Sequence, residues 1–459
     1  MTEVPLLKAT VRFGTPMVIA MALGSLFNLV DLYIVGRMHD PATQIAAVTL
    51  GSLVNSIPMI IFNGIVNAVI ALVARFHGLG NLRRANVAAG QGGLLTLLLS
   101  VLFGLPPYLY AEEICVALGA TGDVIAPATE SLEVVSAGTI TMFLLMQITG
   151  AMRAVGNSVV PLVLMGGANL LNVILDVWFI FGGLGLEPMG VVGAAWATVV
   201  ARGLFAAAGL FLLYRGFAGI RLRRWMIQVR TIWSLLKIGI PSCAQWLVRM
   251  VSYVYILMFV AKAAPLAGNG VTEAQAAFGV GLRLDTLALF SGFGWGAAAA
   301  TLVGQNLGRG LVDRARRATW IALGLNMTMM LIFAGFYVLF ADHLLAMMGF
   351  DAAAGTDAGQ VMDIGRTYLY VTSSGFVFLA VAVVISQALA GAGATKFPLL
   401  IELVMYGAVG YPFVEWAAGH ADEWGLRALW LAAVALHLAV AILYVLWFHF
   451  GPWAKKEIK

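Results

Sequence analysis

The chain is 459 residues long, 61% hydrophobic and only 11% charged, with a mean hydropathy of +0.93. A soluble chain of this size would be about a quarter charged, so these values exclude a soluble globular protein and point to a polytopic membrane protein. The 27 Lys and Arg outweigh the 22 Asp and Glu, and where those charges fall matters more than the net +5.

Twelve apolar stretches follow one another, at 10–37, 50–76, 86–110, 126–151, 157–182, 190–214, 231–261, 275–304, 317–341, 366–391, 396–417 and 426–449. They are too long and uniform for barrel strands, so the expected fold is all-α with twelve transmembrane helices. The first run, Phe13–Val30, leads straight into Asp31 without a small-residue cleavage site, which reads as a retained span and not a signal peptide. Placing the N-terminus inside puts most of the basic residues, among them Arg75, Arg83, Arg84, Arg153, Arg215, Arg309 and Arg314, on the inner side. Of the acids, only Glu3, Asp313 and Glu457 fall there. That bias predicts both termini on the cytoplasmic side of a plasma (inner) membrane.

The chain also repeats itself. LKATVRFGTP, ending at Pro16, resembles SLLKIGIP, ending at Pro241, at an offset of 225. VARFHGLGNLRRA (73–85) resembles VGQNLGRGLVDRA (303–315) at an offset of 230, and GAMRAVGNSVVP (150–161) resembles QALAGAGATKFP (387–398) at 237. Each half holds six spans, an even number, so the halves start on the same side and the repeat is parallel. The expected organisation is an N-terminal lobe at 1–218, a basic amphipathic linker at 219–236 on the inner surface, and a C-terminal lobe at 237–459.

Polar residues inside the apolar runs mark candidate sites, because an ionisable group in a bilayer is costly. In the fifth run Asn169, Asn172 and Asp176 share one helix face. Asp31, Asp176 and Thr198 all fall in the outer half of the membrane when counted along their helices, and Asn28 shares the face of Asp31. Such oxygen ligands suit a hard cation, and two buried carboxylates suit a proton. The repeat positions of Asp31 and Asp176 are Ile256 and Phe413, so the fold itself does not require the pair. In the second half Arg249 and Asp285 are expected at similar depth, where they either neutralise each other or form a substrate or secondary proton site. Glu402 is expected to snorkel toward the inner surface. Met146, Tyr253 and Phe290, with Phe143, Met250, Met258 and Phe293, are candidates for an apolar cavity.

Several function classes drop out. Cys115 and Cys243 give neither a disulfide framework nor metal spacing, and the six His form no H-x-x-x-H or H-E pair. The Gly-rich turns at 78–80 and 308–310 match neither a Walker pattern nor a dinucleotide fingerprint. An enzyme, a resident cofactor and a nucleic-acid partner are therefore not expected.

Three stretches together resemble the multidrug and toxic compound extrusion (MATE) family of secondary transporters. They are DLYIVGRM (31–38), AVGNSVVPLVLMGGANLLNVILDVWFIFGGLGLEPMGVVGAAWAT (154–198) and AFGVGLRLDTLALFSGFGWGAAAATLVGQNLGRGLVDRAR (277–316). The resemblance implies two six-helix lobes arranged as a V around a central cavity, and export of organic, often cationic, compounds in exchange for H⁺ or Na⁺ by a monomer. Within the family the chain is most similar to the DinF-like branch. That similarity implies a cation site at Asp31, Asn172, Asp176 and Thr198, which would act as metal ligands only if the ion is Na⁺. Other branches place acids in the seventh and tenth helices, where this chain has Cys243, Gln245 and Arg249, then Thr372, Ser373 and Ser374. The competing reading is a flippase of lipid-linked precursors with a related two-lobe fold, which should show several cations in its cavity to hold pyrophosphate.

Overall fold

The computed structural model describes residues 4–35, 37–38, 41–183, 185–221, 227–348 and 357–455. Its first half runs α1 (Leu6–Val35), α2 (Pro41–Gly78), α3 (Leu82–Leu109), a short α4 (Ala111–Ala117), α5 (Ile125–Ala137), α6 (Thr139–Ala154), α7 (Val159–Phe181) and α8 (Gly190–Arg215). The second half runs α9 (Val229–Ala263), α10 (Val271–Gly308), α11 (Val312–Leu339), α12 (Ala341–Met347), α13 (Asp357–Ser374), α14 (Phe376–Gly391) and α15 (Lys396–Glu402). After a π-helical segment at Leu403–Val409 come α16 (Gly410–Gly419), the single turn α17 (Ala421–Trp424) and α18 (Arg427–Phe450).

Among the described residues, ten helices, counting α15 to α16 as one, are long and apolar enough to cross a membrane, and two bent pairs bring the number to twelve. The bent pairs are α5 with α6, at 42°, and α13 with α14, at 52°. The bends fall at Gly138 and Gly375, which coincide under the 237-residue repeat offset. Large apolar side chains such as Leu98, Leu102, Leu339 and Phe450 stand fully outward, as lipid-facing surface requires. At 38 residues each, α2 and α10 extend about 57 Å, well beyond a hydrocarbon core of about 30 Å.

The two halves pack around separate cores. One gathers residues between Phe62 and Ile238, the other residues between Tyr255 and Trp453. The turns after α2 and α10 are built alike: the N–H groups of Asn81 and Leu311 donate to the carbonyls of Phe76 and Asn306, each at 2.9 Å. This is a Schellman-type closure, and it needs the left-handed φ of +74° that Gly80 and Gly310 both adopt.

Where the halves meet, glycines let backbones touch, and the contacts come in repeat-related pairs. A Cβ on Gly64 would lie 2.3 Å from Cys243 Sγ, and one on Gly294 would lie 2.5 Å from Val18 Cα. Likewise Gly14 meets the ring of Trp295 at 2.5 Å and Gly239 meets Ile65 Cδ1 at 2.7 Å. Each pair maps onto the other under the 225- and 230-residue offsets, so the seam is pseudo-two-fold: α1 lies on α10 as α9 lies on α2. Small residues at such crossings let helices approach within van der Waals contact. The Cys243 thiol donates to the Ile61 carbonyl at 2.8 Å across the same seam. All of these contacts lie in the halves of the four helices nearest the 78–82 and 308–312 turns.

Around the connection between the halves, the Arg221 N–H donates to Asn86 Oδ1 at 3.0 Å and the Gln228 N–H to Gln91 Oε1 at 2.9 Å, pinning both ends to α3. The centre of the expected amphipathic linker, 222–226, lies outside the described residues, and α9 begins at Val229.

Candidate functional site

Three helices build the polar cluster of the first half. α7 brings Asn172 and Asp176 one turn apart, α8 brings Thr198, and α1 brings Asp31 near its C-terminal end. α7 and α8 pack closely because Gly193 sits against the Phe179 carbonyl and Gly167 against the ring of Phe205, where Cβ atoms would lie 2.7 and 2.4 Å away. That approach lets Asn172 Nδ2 donate to Thr198 Oγ1 at 3.3 Å. The carboxyl groups of Asp31 and Asp176 face each other at hydrogen-bonding range, with the Asn172 amide also on Asp176. One oxygen of each, Oδ1, is buried without a hydrogen-bond partner, and Asp176 is only 2% exposed. Two like charges at this separation, out of water, repel strongly, and a cation between them removes that cost.

A fifth member belongs to this cluster. Arg202 lies one turn beyond Thr198 on α8 and interacts electrostatically with both Asp31 and Asp176. Its Nη1 donates to Met142 Sδ at 3.5 Å. Arg202 and Thr198 line a cavity of about 10 Å³ with Asn55 and Met142, room for about one water.

In the second half a larger cavity, about 280 Å³, opens among α9, α10, α13, α14, the π-helical segment and α18, with Ile60 of α2 at its edge. Asp285 lies on its wall. Tyr368 Oη donates to Asp285 Oδ2 at 2.6 Å, and Asp285 Oδ1 is buried without a partner. Arg249 also lines the cavity, but its charge is spent. Its guanidinium grips Glu402 through both Nε, at 3.1 Å, and Nη2, and Tyr444 Oη donates to Glu402 Oε1 at 2.6 Å. Glu402 is fully buried. The π-helical segment that follows it turns Tyr406 inward, and Tyr255 Oη donates to the Tyr406 carbonyl at 2.9 Å. A π-helical insertion of this kind is often found at functional sites.

The sequence profile of the MatE family matches residues 16–178 and 240–414, most of both halves. The chain belongs to the MATE family. Among curated relatives it is 25% identical to the probable multidrug resistance protein NorM of Thermotoga maritima, over 99% of this chain and 95% of that one. It is 27% identical to the multidrug resistance protein PmpM of Pseudomonas aeruginosa, over 95% and 90%. Its fold matches that of a MATE crystallised in complex with MaL6 at a TM-score of 0.89, with 22% identity over 98% and 96% of the two chains. It matches a MOP superfamily transporter from Pyrococcus furiosus at 0.90, with 22% identity over 99% and 98%.

In this MATE protein the residues singled out from the sequence separate clearly. Asp31, Asn172, Asp176 and Thr198 come together. Tyr253 and Phe290 line the second cavity with Asp285 and Arg249, as does Met250. The expected Arg249–Asp285 pair does not form: Arg249 turns to Glu402 and Asp285 to Tyr368. Nor does Glu402 snorkel, because the guanidinium and the Tyr444 hydroxyl hold it inside. Met146 packs against the core of the first half, and Phe143 stacks on Phe62 with ring centroids 4.1 Å apart. Met258 is 38% exposed and Phe293 packs on Trp246. The side chain of Asn28 lies outside the described residues. Sequence reading missed Arg202, although an arginine in an apolar span four residues after Thr198 was a usable signal.

Proposed function

We propose that this protein is a secondary multidrug exporter that couples the outward movement of organic compounds to the entry of H⁺ or Na⁺ at the Asp31–Asp176 cluster. The supporting observation is the approach of two carboxylates from α1 and α7 in a bundle that leaves one oxygen of each without a partner. Family membership and the multidrug resistance names of the relatives support the export reading. The placement of the acids favours the DinF-like arrangement, with Asn172 and Thr198 holding the cluster and Arg202 beside it.

The mechanism follows from differential affinity. With the cluster empty, Asp31 and Asp176 repel, and α1 is pushed from α7. With a cation bound, the two helices close together. α1 is also a seam helix, packed on α10 through Gly14, and Pro16 lies within it, so a bend there would carry the change to the interface between the halves. Drug binding favours the packing that cation binding disfavours, and export is the result. The basic turns support a cytoplasmic placement of the closed seam.

The flippase reading needs free cations in the cavity. Among the described residues lining it, Arg249 is neutralised by Glu402, which disfavours that reading.

The test is dye efflux from proteoliposomes under a pH gradient and a Na⁺ gradient imposed separately. Asp31→Asn and Asp176→Asn should each fold and melt like the parent and lose gradient-driven efflux under whichever ion drives it. Normal efflux by either variant would move the coupling site elsewhere.

A further inference from the structure

One span of the second half departs from its repeat mate. α7 is α-helical throughout, from Val159 to Phe181, whereas its mate is interrupted between α15 and α16 by the π-wound residues Leu403–Val409. Two residues that meet this segment are unmatched as well. The Tyr255 hydroxyl from α9 donates to the Tyr406 carbonyl at 2.9 Å. Under the 225-residue offset its place in the first half is held by Val30, which has no side-chain donor. Gly410 leaves room for the hydroxyl: a Cβ there would lie 2.7 Å from Tyr255 Oη and 2.8 Å from the Met405 carbonyl oxygen, five residues back. Under the 237-residue offset its mate is Val173. In a continuous α-helix the Gly410 N–H would reach the Tyr406 carbonyl. Here it donates to the Gly407 carbonyl, and the tyrosine hydroxyl stands in its place. The π winding is thus tied to particular side chains, and the fold alone does not require it.

α9 joins this segment to the seam. Its inner part meets α2 through Gly239 and Cys243, with Pro241 between them. Further out, Gln245 Nε2 donates to the Thr395 carbonyl at 3.1 Å and Arg249 grips Glu402, the residue just before the π turn, so α15 is anchored to α9. Beyond the π turn, α16 meets α9 through the ring of Tyr411, whose centroid lies 5.6 Å from that of Tyr255 and 5.2 Å from that of Phe259. We propose that Leu403–Val409 is a π-to-α switch, held in the π form by the Tyr255 hydroxyl while the seam is closed and released to the α form when the seam opens. A bend at Pro241 carries the motion of the seam to Tyr255. Conversion expels one residue from the segment, so α16 turns by about 100° and slides by about 1.5 Å relative to α15. The slack passes into the turn after Gly419, where α16 ends. Tyr411 then leaves Phe259, and the cavity wall that Tyr406 shares with His437 changes shape. The link to seam opening rests on the export reading, whereas the hydroxyl latch does not.

The experiment is oxidative cross-linking, in the purified full-length protein, of cysteines placed at Phe259 and Tyr411, with a pair at Gln245 and Thr395 as the anchor control. Cys115 and Cys243 are buried and stay in place. Both pairs should cross-link readily in the parent. Tyr255→Phe, which keeps the ring and removes the latch, should lower the 259–411 yield several-fold and leave the 245–395 yield unchanged. Gly410→Ala, which drives the hydroxyl off with a methyl group, should do the same, and it keeps the test open should Tyr255→Phe fold poorly. Gly308→Val, which wedges the seam from α10 without touching either helix of the pair, should also lower the 259–411 yield alone. An undiminished 259–411 yield in Tyr255→Phe or in Gly410→Ala overturns the latch. A fall in those two with parent-like yield in Gly308→Val overturns the link to the seam. A fall in both cysteine pairs together reports general loosening and overturns the proposal too. Dye efflux is read separately in proteins without the added cysteines. The expected cross-linking pattern without any efflux by the parent removes the export reading and leaves the switch. Unchanged cross-linking in all three variants with efflux intact removes the switch and leaves the export reading.

Discussion

Gly78 and Gly308 hold the same place in the two halves and cross-brace the seam. A Cβ on Gly78 would lie 2.2 Å from the Gln305 carbonyl oxygen, and one on Gly308 would lie 2.3 Å from that of Arg75. Arg75 and Gln305 are themselves repeat-related, so each half grips the other with the same pair. The obstructing atoms are helix backbone, which cannot rotate aside. Gly78→Val and Gly308→Val should therefore force α2 and α10 apart at this end and disfavour the closed seam, while each half keeps its own core. The check is disulfide cross-linking between cysteines placed at Leu79 and Arg309. Its yield should fall several-fold in either valine variant, with efflux falling in parallel. Unchanged yield and efflux would mean that the seam is not what opens and closes.

The Arg249–Glu402 pair gives a stability prediction. Removing one member of a buried ion pair strands the other and costs about 3–5 kcal/mol. Arg249→Met and Glu402→Leu should each lower the melting temperature of the purified protein markedly. The double variant should recover much of the loss, because apolar residues of similar volume can replace a buried pair. Combining Arg249→Met with Asp285→Leu should give no recovery. Tyr444→Phe, which removes one hydrogen bond to a charged group, should cost about 1.5–3 kcal/mol. Recovery with Asp285→Leu instead of Glu402→Leu would contradict the pairing seen here.

How much of this was legible in the sequence depended on which geometry a residue obeys. Helical spacing places Asn172 and Asp176 on one face whatever surrounds them, and counting along a span gives depth to a few residues, so the meeting of Asp31, Asp176 and Thr198 could be anticipated. Partner choice could not. By depth Arg249 was expected beside Asp285, and only the rotation of α9 against α15 and α18 decides that Glu402 is its neighbour instead. Glu402 looked interfacial because it lies seven residues into its helix from Lys396, yet Tyr444 of α18 and the π-helical segment cover it. The bends at Gly138 and Gly375 were hidden for another reason: a lone glycine in an apolar run is ordinary, and these two acquire meaning only as repeat mates.

Arg202 supplies a prediction about coupling. A fixed positive charge beside Asp31 and Asp176 competes with any incoming cation through simple Coulomb repulsion, which is large in a low-dielectric site. Arg202→Gln should leave the fold intact, since the amide can still reach Met142 Sδ and Thr198 across the small cavity that Arg202 lines. The concentration of coupling cation that half-saturates efflux should fall about tenfold or more, and maximal turnover should slow because the cation leaves less readily before the next drug binds. Proteoliposome efflux titrated against the driving ion measures both. An unchanged half-saturation value would place Arg202 outside the coupling event.

The last prediction concerns the bend between α5 and α6. A Cβ on Gly138 would meet Val199 Cγ2 at 2.2 Å and Cγ1 at 2.8 Å, whereas at the repeat mate Gly375 the nearest atom, Val434 Cγ2, is 3.0 Å away. Val199 is β-branched and sits in the middle of α8, so its χ1 is fixed and it cannot swing clear. Gly138→Ala should thus behave as overpacking and cost about 1–3 kcal/mol. Gly375→Ala, with looser contacts, should cost less. The effect at Gly138 should reach function too, because Val199 lies next to Thr198 and lines the same small cavity as Arg202. Displacing α8 there shifts Thr198 relative to Asn172. Adding Val199→Ala to Gly138→Ala removes the obstructing methyls and should restore both the melting temperature and gradient-driven efflux. Restored melting with efflux still lost would show that the bend itself, and not the spacing of α8, is what transport needs.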